Sequence, residues 1–189
     1  MRFLTCLAGA VLALVVFAGA GAGSADDPAA SPVGRITLED ARAFEEYPLY
    51  FAGDRVDGHA LVAVVRRSGA AEFVSFIYGD CTPAGEEGCA PPLEIQVWPA
   101  CRRHLALYEA SPGTPALERT TVRGVPAALL DGGTRLELQT GRATVVVFGD
   151  TRVRLARIAR SLRPVDAGIA HVDALPPPAV GAVEGTLGC

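Results

Sequence analysis

The chain of 189 residues contains no lysine, no asparagine, one methionine and one tryptophan. Without lysine there can be no phosphate-binding loop ending in Gly-Lys and no Ser-x-x-Lys nucleophile. Without asparagine there is no Asn-x-Ser/Thr acceptor for N-glycosylation. No Gly-x-Ser-x-Gly elbow occurs, and the three histidines, His59, His104 and His171, are paired with no serine nucleophile in sequence. All 17 basic residues are arginine, and 21 acidic residues bring the net charge to −4, which argues against a nucleic-acid binder. Half of the residues are hydrophobic and 20 % are charged, a balance that a folded domain has and a disordered chain lacks.

The two ends differ from the middle. Arg2 precedes a charge-free apolar run, Phe3 to Ala22, and small residues crowd together before Asp26-Asp27. A charged start, an apolar stretch and a small-residue zone read as a signal peptide over 1–25, cleaved near Ala20-x-Ala22 or Ala22-x-Ser24. An uncleaved membrane anchor is the alternative, but the second half of the run is Gly/Ala-rich and has no positively charged flank downstream. A lipid anchor needs a cysteine directly after the run, and Cys6 lies at its front. Residues 26–35 read as a linker. Residues 166–189, with Pro176-Pro177-Pro178 and no apolar periodicity, read as an irregular tail. One domain is expected over 36–165, with no stable membrane span after cleavage.

Within it, Thr37-Leu38-Glu39-Asp40 has the form of a capping box opening a helix over 38–46 that Pro48 closes. Strands are predicted at 49–52, 60–66, 72–78 and 93–98. In the last of these, Leu93, Ile95 and Val97 alternate with Glu94, Gln96 and Trp98. Four more follow at 118–123, 125–130, 134–140 and 143–148, joined by turns at Gly124, Asp131-Gly132-Gly133 and Gly141-Arg142. In 134–140 the pattern places Leu136 and Leu138 inward and Arg135, Glu137 and Gln139 outward. Asp150 is the predicted N-cap of a helix over 151–163 with Leu155, Ile158, Ala159 and Leu162 on one face. Short hairpin loops dictate antiparallel neighbours. The expected class is α+β: a mostly antiparallel hairpin meander, with a short N-terminal helix and a C-terminal helix packed on one face.

Removal of the signal peptide leaves Cys81, Cys89, Cys101 and Cys189, an even number that favours disulfides in an oxidising compartment. A Cys81–Cys89 bridge would clip the polar loop between two strands, and Cys101–Cys189 would strap the tail to the domain. Cys81–Cys101 is the main competing pairing. Cys81, Cys89, Cys101 and His104 could also make a Cys₃His metal set, but no Cys-x₂-Cys knuckle supports it. Cys101-x-x-His104 could be a thiol with its base. We assign no metal, no cofactor and no catalytic residue from sequence.

Other features have bland readings. Arg152, Arg154, Arg157, Arg160 and Arg163 spread around the last helix as a solvated face, the alternative being an anion-binding one. Gly53 to His59 reads as a hairpin turn rather than a calcium loop, because Arg55 and Val56 interrupt the oxygen ligands. Glu86-Glu87 reads as solvated loop charge. The aromatics concentrate in the first half, mostly as core. Trp98, which shares a strand face with Glu94 and Gln96 and lies near His104, is the candidate for a ligand or partner surface.

The segments Val122-Arg-Gly-Val-Pro-Ala-Ala, Arg135-Leu-Glu-Leu-Gln-Thr-Gly, Val145-Val-Val-Phe-Gly and Ile158-Ala-Arg-Ser-Leu162 carry a likeness. They lie within the 41 residues from Val122 to Leu162 and resemble the C-terminal block of bacterial envelope domains. More distantly, they are similar to the half-barrel domains of lipoprotein carriers and envelope-stress regulators. Phe-Ile-Tyr-Gly-Asp-Cys81 and Ile-Gln-Val-Trp-Pro-Ala-Cys101 resemble segments of exported actinobacterial proteins. The resemblance implies a secreted or envelope location and assigns no functional residue. The expected function is non-enzymatic binding of a protein partner or small apolar ligand at the cell envelope. An extracellular hydrolase, with a site assembled from distant residues, is the alternative.

Overall fold

Runs dense in Val, Ile and aromatic residues form strands because such side chains pack well on a pleated surface. The structure, a computed structural model, describes residues 33–69, 71–80, 90–108, 117–166 and 173–189. The expected signal peptide, most of the linker, Cys81, Glu86, Glu87, Cys89 and His171 lie outside these residues, so the Cys81–Cys89 bridge does too. Ser31–Cys189 forms one compact unit.

In chain order the elements are β1 (Val33–Ile36), α1 (Leu38–Arg42), β2 (Tyr50–Phe51), β3 (Arg55–Val56), β4 (His59–Arg67), β5 (Phe73–Tyr78) and β6 (Leu93–Pro99). They continue with a 3₁₀ turn (Leu105–Tyr108), β7 (Glu118–Val122), β8 (Val125–Leu130), β9 (Arg135–Thr140), β10 (Ala143–Phe148), α2 (Arg152–Ser161) and β11 (Arg163–Pro164). The expected mostly antiparallel sheet with few helices is what the chain forms. Its strand order is β1-β4-β5-β6-β10-β9-β8-β7, with β3 paired to β4 and a separate β2–β11 ribbon.

Two meanders, β4–β5–β6 and β7–β8–β9–β10, meet through antiparallel β6–β10 pairing. Side chains alternate between faces, so register decides what each face holds. On one face Val64, Phe76, Ile95, Val147 and Leu136 stand in one cross-strand row, all buried. They share a hydrophobic cluster with Leu155, Ile158, Ala159 and Leu162 from α2 and its end, and with Tyr47, Leu49, Tyr50 and Phe51. On the other face the equivalent row is Val65, Ser75, Gln96, Val146, Glu137 and Ala128.

The second face is covered at the β8–β9–β10 end for a topological reason. β6 lies in mid-sheet and β7 at an edge, so the connection between them has to traverse β10, β9 and β8. Leu105 lands on Ala128 and Leu130 to form a small second cluster, with Tyr108 and Leu117 packed against it. The C-terminal segment then closes over what the connection leaves. Pro178 bridges to Gly141, Ala179 N–H donates to the Gly141 carbonyl at 2.7 Å, and Gln139 Nε2 donates to the buried Ala182 carbonyl at 2.8 Å. The chain ends in a disulfide between Cys101 and Cys189. Among its described residues, 173–189, the tail forms no helix or strand beyond the Gly141–Pro178 bridge, yet it buries Leu175 and Ala182.

Several expectations need correction. Glu137 and Gln139 are fully buried, not outward-facing, because the β6–β7 connection and the tail cover their face. The first helix stops at Arg42, its N-terminus held by the expected capping box. Phe44 instead packs edge-on against Tyr47, with ring centroids 4.8 Å apart. The 49–52 strand shrinks to two residues and pairs with β11 outside the main sheet. Thr151, not Asp150, caps α2 by accepting from Arg154 N–H, and Asp150 pairs with Arg154 at 3.3 Å instead.

Burial is the leading cause that raises the pKa of Tyr47, Tyr50 and Tyr78 above the ordinary tyrosine value, and it pushes Tyr108 up to about 12. These are all four tyrosines of the chain. A raised folded pKa means the neutral phenol is favoured in the fold. The stability it represents is complete below about pH 10 and is lost as pH rises towards the folded values. In a spectrophotometric titration no phenolate should appear near pH 10, and tyrosinate should form in one step together with unfolding. Independent ionisation of two or more tyrosines near pH 10 in folded protein would contradict this packing.

Candidate binding surface

The second face of the sheet divides at Trp98. On the β4–β5–β6 side the residues leave a groove of about 260 Å³, lined by Val65, Arg67, Phe73, Ile77, Pro91 and Glu94 among others. β5 and β6 build it by alternation: Phe73, Ser75 and Ile77 from one strand face the same way as Glu94 and Gln96 from the next. Among the described residues no helix packs over this half.

Its polar groups are held by one another. Ser75 Oγ donates to Glu94 Oε1 at 2.5 Å, and Gln96 Nε2 donates to the same oxygen at 2.9 Å. Trp98 Nε1 donates to Gln96 Oε1 at 3.0 Å. Each acceptor is thereby fixed without a backbone partner, and the amide of Gln96 is oriented by the indole above it.

Trp98 supports the groove without lining it. Its ring stacks on Phe73, with centroids 4.4 Å apart and planes 29° apart, and Phe73 presents the groove wall. The Arg67 guanidinium lies over the Phe73 ring, 5.4 Å from its centroid. The Arg103 guanidinium lies 4.9 Å from the Trp98 ring centroid. Cation–π contacts of this kind contribute about 0.5–2 kcal/mol each, more when desolvated.

Arg103 is positioned by a buried carboxylate. Its Nε donates to Glu137 Oε2 at 3.0 Å and its Nη2 donates to Glu137 Oε1, a bidentate pair. The Tyr108 hydroxyl donates to Glu137 Oε1 at 2.8 Å, and Arg135 Nε lies 3.2 Å from the same oxygen. Glu137 is 0 % exposed, so the Arg103 fork and the Tyr108 hydroxyl replace the water it has lost, with the Arg135 charge beside them. A Thr144 Oγ1 hydrogen bond to the Arg103 carbonyl fixes the backbone of the same residue. The line Arg67–Phe73–Trp98–Arg103–Glu137 therefore runs from the groove to the closed half of the face.

Of the residues singled out from sequence, Glu94, Gln96 and Trp98 come together as expected from alternation. His104 does not join them. Its ring packs on the tail, where a Cβ on Gly185 would lie 2.2 Å from its Cε1; Gly185 also has φ +77°, so both space and backbone demand glycine there. Cys101 is bonded to Cys189 and is available neither as a thiolate nucleophile nor as a metal ligand. Among the described residues no group of three or more His, Cys, Asp and Glu side chains could hold a metal ion. Val65, Arg67, Phe73, Ser75 and Pro91 were missed from sequence. Once β4, β5 and β6 were aligned by their turns, the period-2 alternation of 72–78 would have placed Phe73 and Ser75. No family model, curated protein or solved structure matches this chain.

Glu137→Gln should lower unfolding free energy by about 3 kcal/mol, because it leaves the Arg103 guanidinium without its counter-ion in a largely dry site. Tyr108→Phe should cost about 1.5–2 kcal/mol, the loss of one hydrogen bond to a charged acceptor. Urea unfolding of the two variants against wild type measures both. Equal stability of Glu137→Gln and wild type would refute the role of the clamp.

Proposed function

We propose that this chain is exported and acts as a non-enzymatic binding protein at the cell envelope, receiving a small apolar ligand or an apolar partner side chain in the Phe73–Glu94 groove. The observation that carries the reading is the composition of the groove. Val65, Phe73, Ile77 and Pro91 give an apolar lining, Glu94 contributes an oriented acceptor, and Arg67 places a cation at one end. Pockets that bind small molecules combine an apolar lining with a few fixed polar groups in this way. A volume of about 260 Å³ suits a ligand of one to three rings or a short aliphatic chain.

Export rests on the charged start and apolar run of residues 1–25, and the Cys101–Cys189 disulfide is compatible with an oxidising compartment. Among the described residues no helix is long and apolar enough to cross a membrane.

Trp98 is the sole tryptophan and stacks on the groove wall, so it reports on occupancy without labelling. Titration with 8-anilinonaphthalene-1-sulfonate, whose rings match the lining and whose sulfonate can reach Arg67, should quench Trp98 emission saturably with one site. Phe73→Ala and Val65→Gln should each weaken binding about tenfold, the effect of about 1.4 kcal/mol, in protein whose melting remains cooperative. Absence of saturable quenching, or undiminished binding in both variants, would overturn the groove assignment. Because the chain lacks lysine, amine-reactive labelling of protein recovered outside the cytoplasm should mark only a new N-terminus between residues 21 and 27. A label on Met1 would overturn cleavage of residues 1–25, and recovery of the chain only from the cytoplasm would overturn export.

A further inference from the structure

On the other side of the molecule, α2 and the segments beside it gather arginines that are far apart in sequence. Arg55 comes from β3, Arg157 and Arg160 from α2, and Arg163 from β11. They surround a depression of about 730 Å³ in which Asp54 is the one carboxylate among the described lining residues. Four guanidinium groups, of which Arg157 is already paired with Asp57, face one lining carboxylate and make a positive surface on a chain whose net charge is −4.

The arginines differ in how far they are already satisfied. Arg157 donates to Asp57 Oδ1 at 2.8 Å, but Asp57 also accepts from Arg154 at 2.6 Å, so one carboxylate is divided between two cations. These two bonds hold the Asp57 carboxyl below the usual carboxylate range. Arg55 reaches only the Gly58 carbonyl, at 3.4 Å. Arg163 lies with its guanidinium 5.1 Å from the Phe51 ring centroid, and its Nε is buried with no hydrogen-bond partner. Gly53, at φ +89°, makes room for it: a Cβ there would stand 2.9 Å from Arg163 Nη2. Arg160 is exposed and forms no ion pair among the described residues. The backbone is thus shaped to admit the Arg163 guanidinium, which forms no ion pair among the described residues.

We infer that this depression binds a phosphate-bearing ligand with at least two negative charges, held by Arg55, Arg157, Arg160 and Arg163. A planar guanidinium donates two parallel hydrogen bonds to phosphate oxygens, and several such forks converging on one depression match an anion that concentrates charge in a small volume. The surface is separate from the groove, which lies on the opposite face of the sheet, so either assignment stands or fails without the other. The same chemistry is offered by a free oligophosphate and by the headgroup of an anionic phospholipid.

Isothermal titration with sodium tripolyphosphate in 0.15 M salt tests it. The chain should bind one equivalent. Arg55→Gln/Arg160→Gln, which changes two residues that make no ion pair among the described residues, should weaken binding at least about tenfold, as expected for the loss of charge-assisted hydrogen bonds. Arg35→Gln/Arg42→Gln removes the same charge from exposed residues that do not line the depression and should leave affinity within about twofold. Cosedimentation with vesicles of phosphatidylglycerol and phosphatidylcholine separates the sources. Arginine-dependent vesicle binding that tripolyphosphate displaces identifies a headgroup, and tripolyphosphate binding without vesicle binding identifies a free phosphate compound; both support the site. The inference is overturned by no binding at millimolar tripolyphosphate, by equal losses in the two double variants, or by citrate binding as tightly as tripolyphosphate.

Discussion

A carboxylate with no exposed surface, Glu137, sits in the middle of the sheet face opposite α2, and the geometry of that face follows from how its charge is met. An unpaired ion there would cost several kcal/mol. Arg103 meets it with a bidentate fork and Tyr108 with a hydroxyl. Both residues lie on the connection that has to cross the sheet to reach β7, so the buried charge selects where that connection lands. Arginine suits the position because its planar fork matches both carboxylate oxygens, which a lysine ammonium would not do. The other side of the same guanidinium lies against Trp98, and through Trp98 the clamp reaches Phe73 and the groove.

The C-terminal segment completes the closed half. Gln139 and Thr144 are buried polar groups, and each donates to the covering chain: Gln139 Nε2 to the Ala182 carbonyl, Thr144 Oγ1 to the Arg103 carbonyl. The disulfide ties the two coverings together, joining residues 88 positions apart. In the chain-entropy model a loop of that length represents roughly 4–5 kcal/mol of stabilisation. One face is thus half sealed and half grooved, and the other carries α2 with the arginine-lined depression on its outer side. A single antiparallel sheet presents an apolar groove and a cationic depression that share no residue.

Much of the framework was legible in the sequence because it rests on local signals. Period-2 alternation located Leu93, Ile95 and Val97 in the core, the Thr37–Asp40 box opened α1, and glycine-bearing turns delimited the hairpins. What was not legible depended on which strand lies beside which. Alternation correctly put Glu137 and Gln139 on the face away from Leu136 and Leu138, but the pattern of one strand does not show whether that face meets water or protein. The covering comes from residues 101–108 and from a tail whose sequence has no periodicity. The Cys101–Cys189 pairing was among the possibilities because it strapped that tail. His104 and Trp98 looked like neighbours in sequence, yet the turn after Pro99 sends the histidine to Gly185 and leaves the indole on Phe73. The convergence of Arg55 with Arg157, Arg160 and Arg163 was equally hidden, since it requires β3 and β11 to approach the same end of α2.

The Glu137–Arg103 clamp supports the groove through Trp98, and the single indole N–H reads this directly. Its hydrogen bond to Gln96 should appear in the ¹H–¹⁵N spectrum as one resonance protected from exchange. In Arg103→Met that protection should fall while the amides of β5 and β6 keep theirs. Unchanged indole protection in Arg103→Met would show that the groove wall stands without the clamp, and would contradict the account.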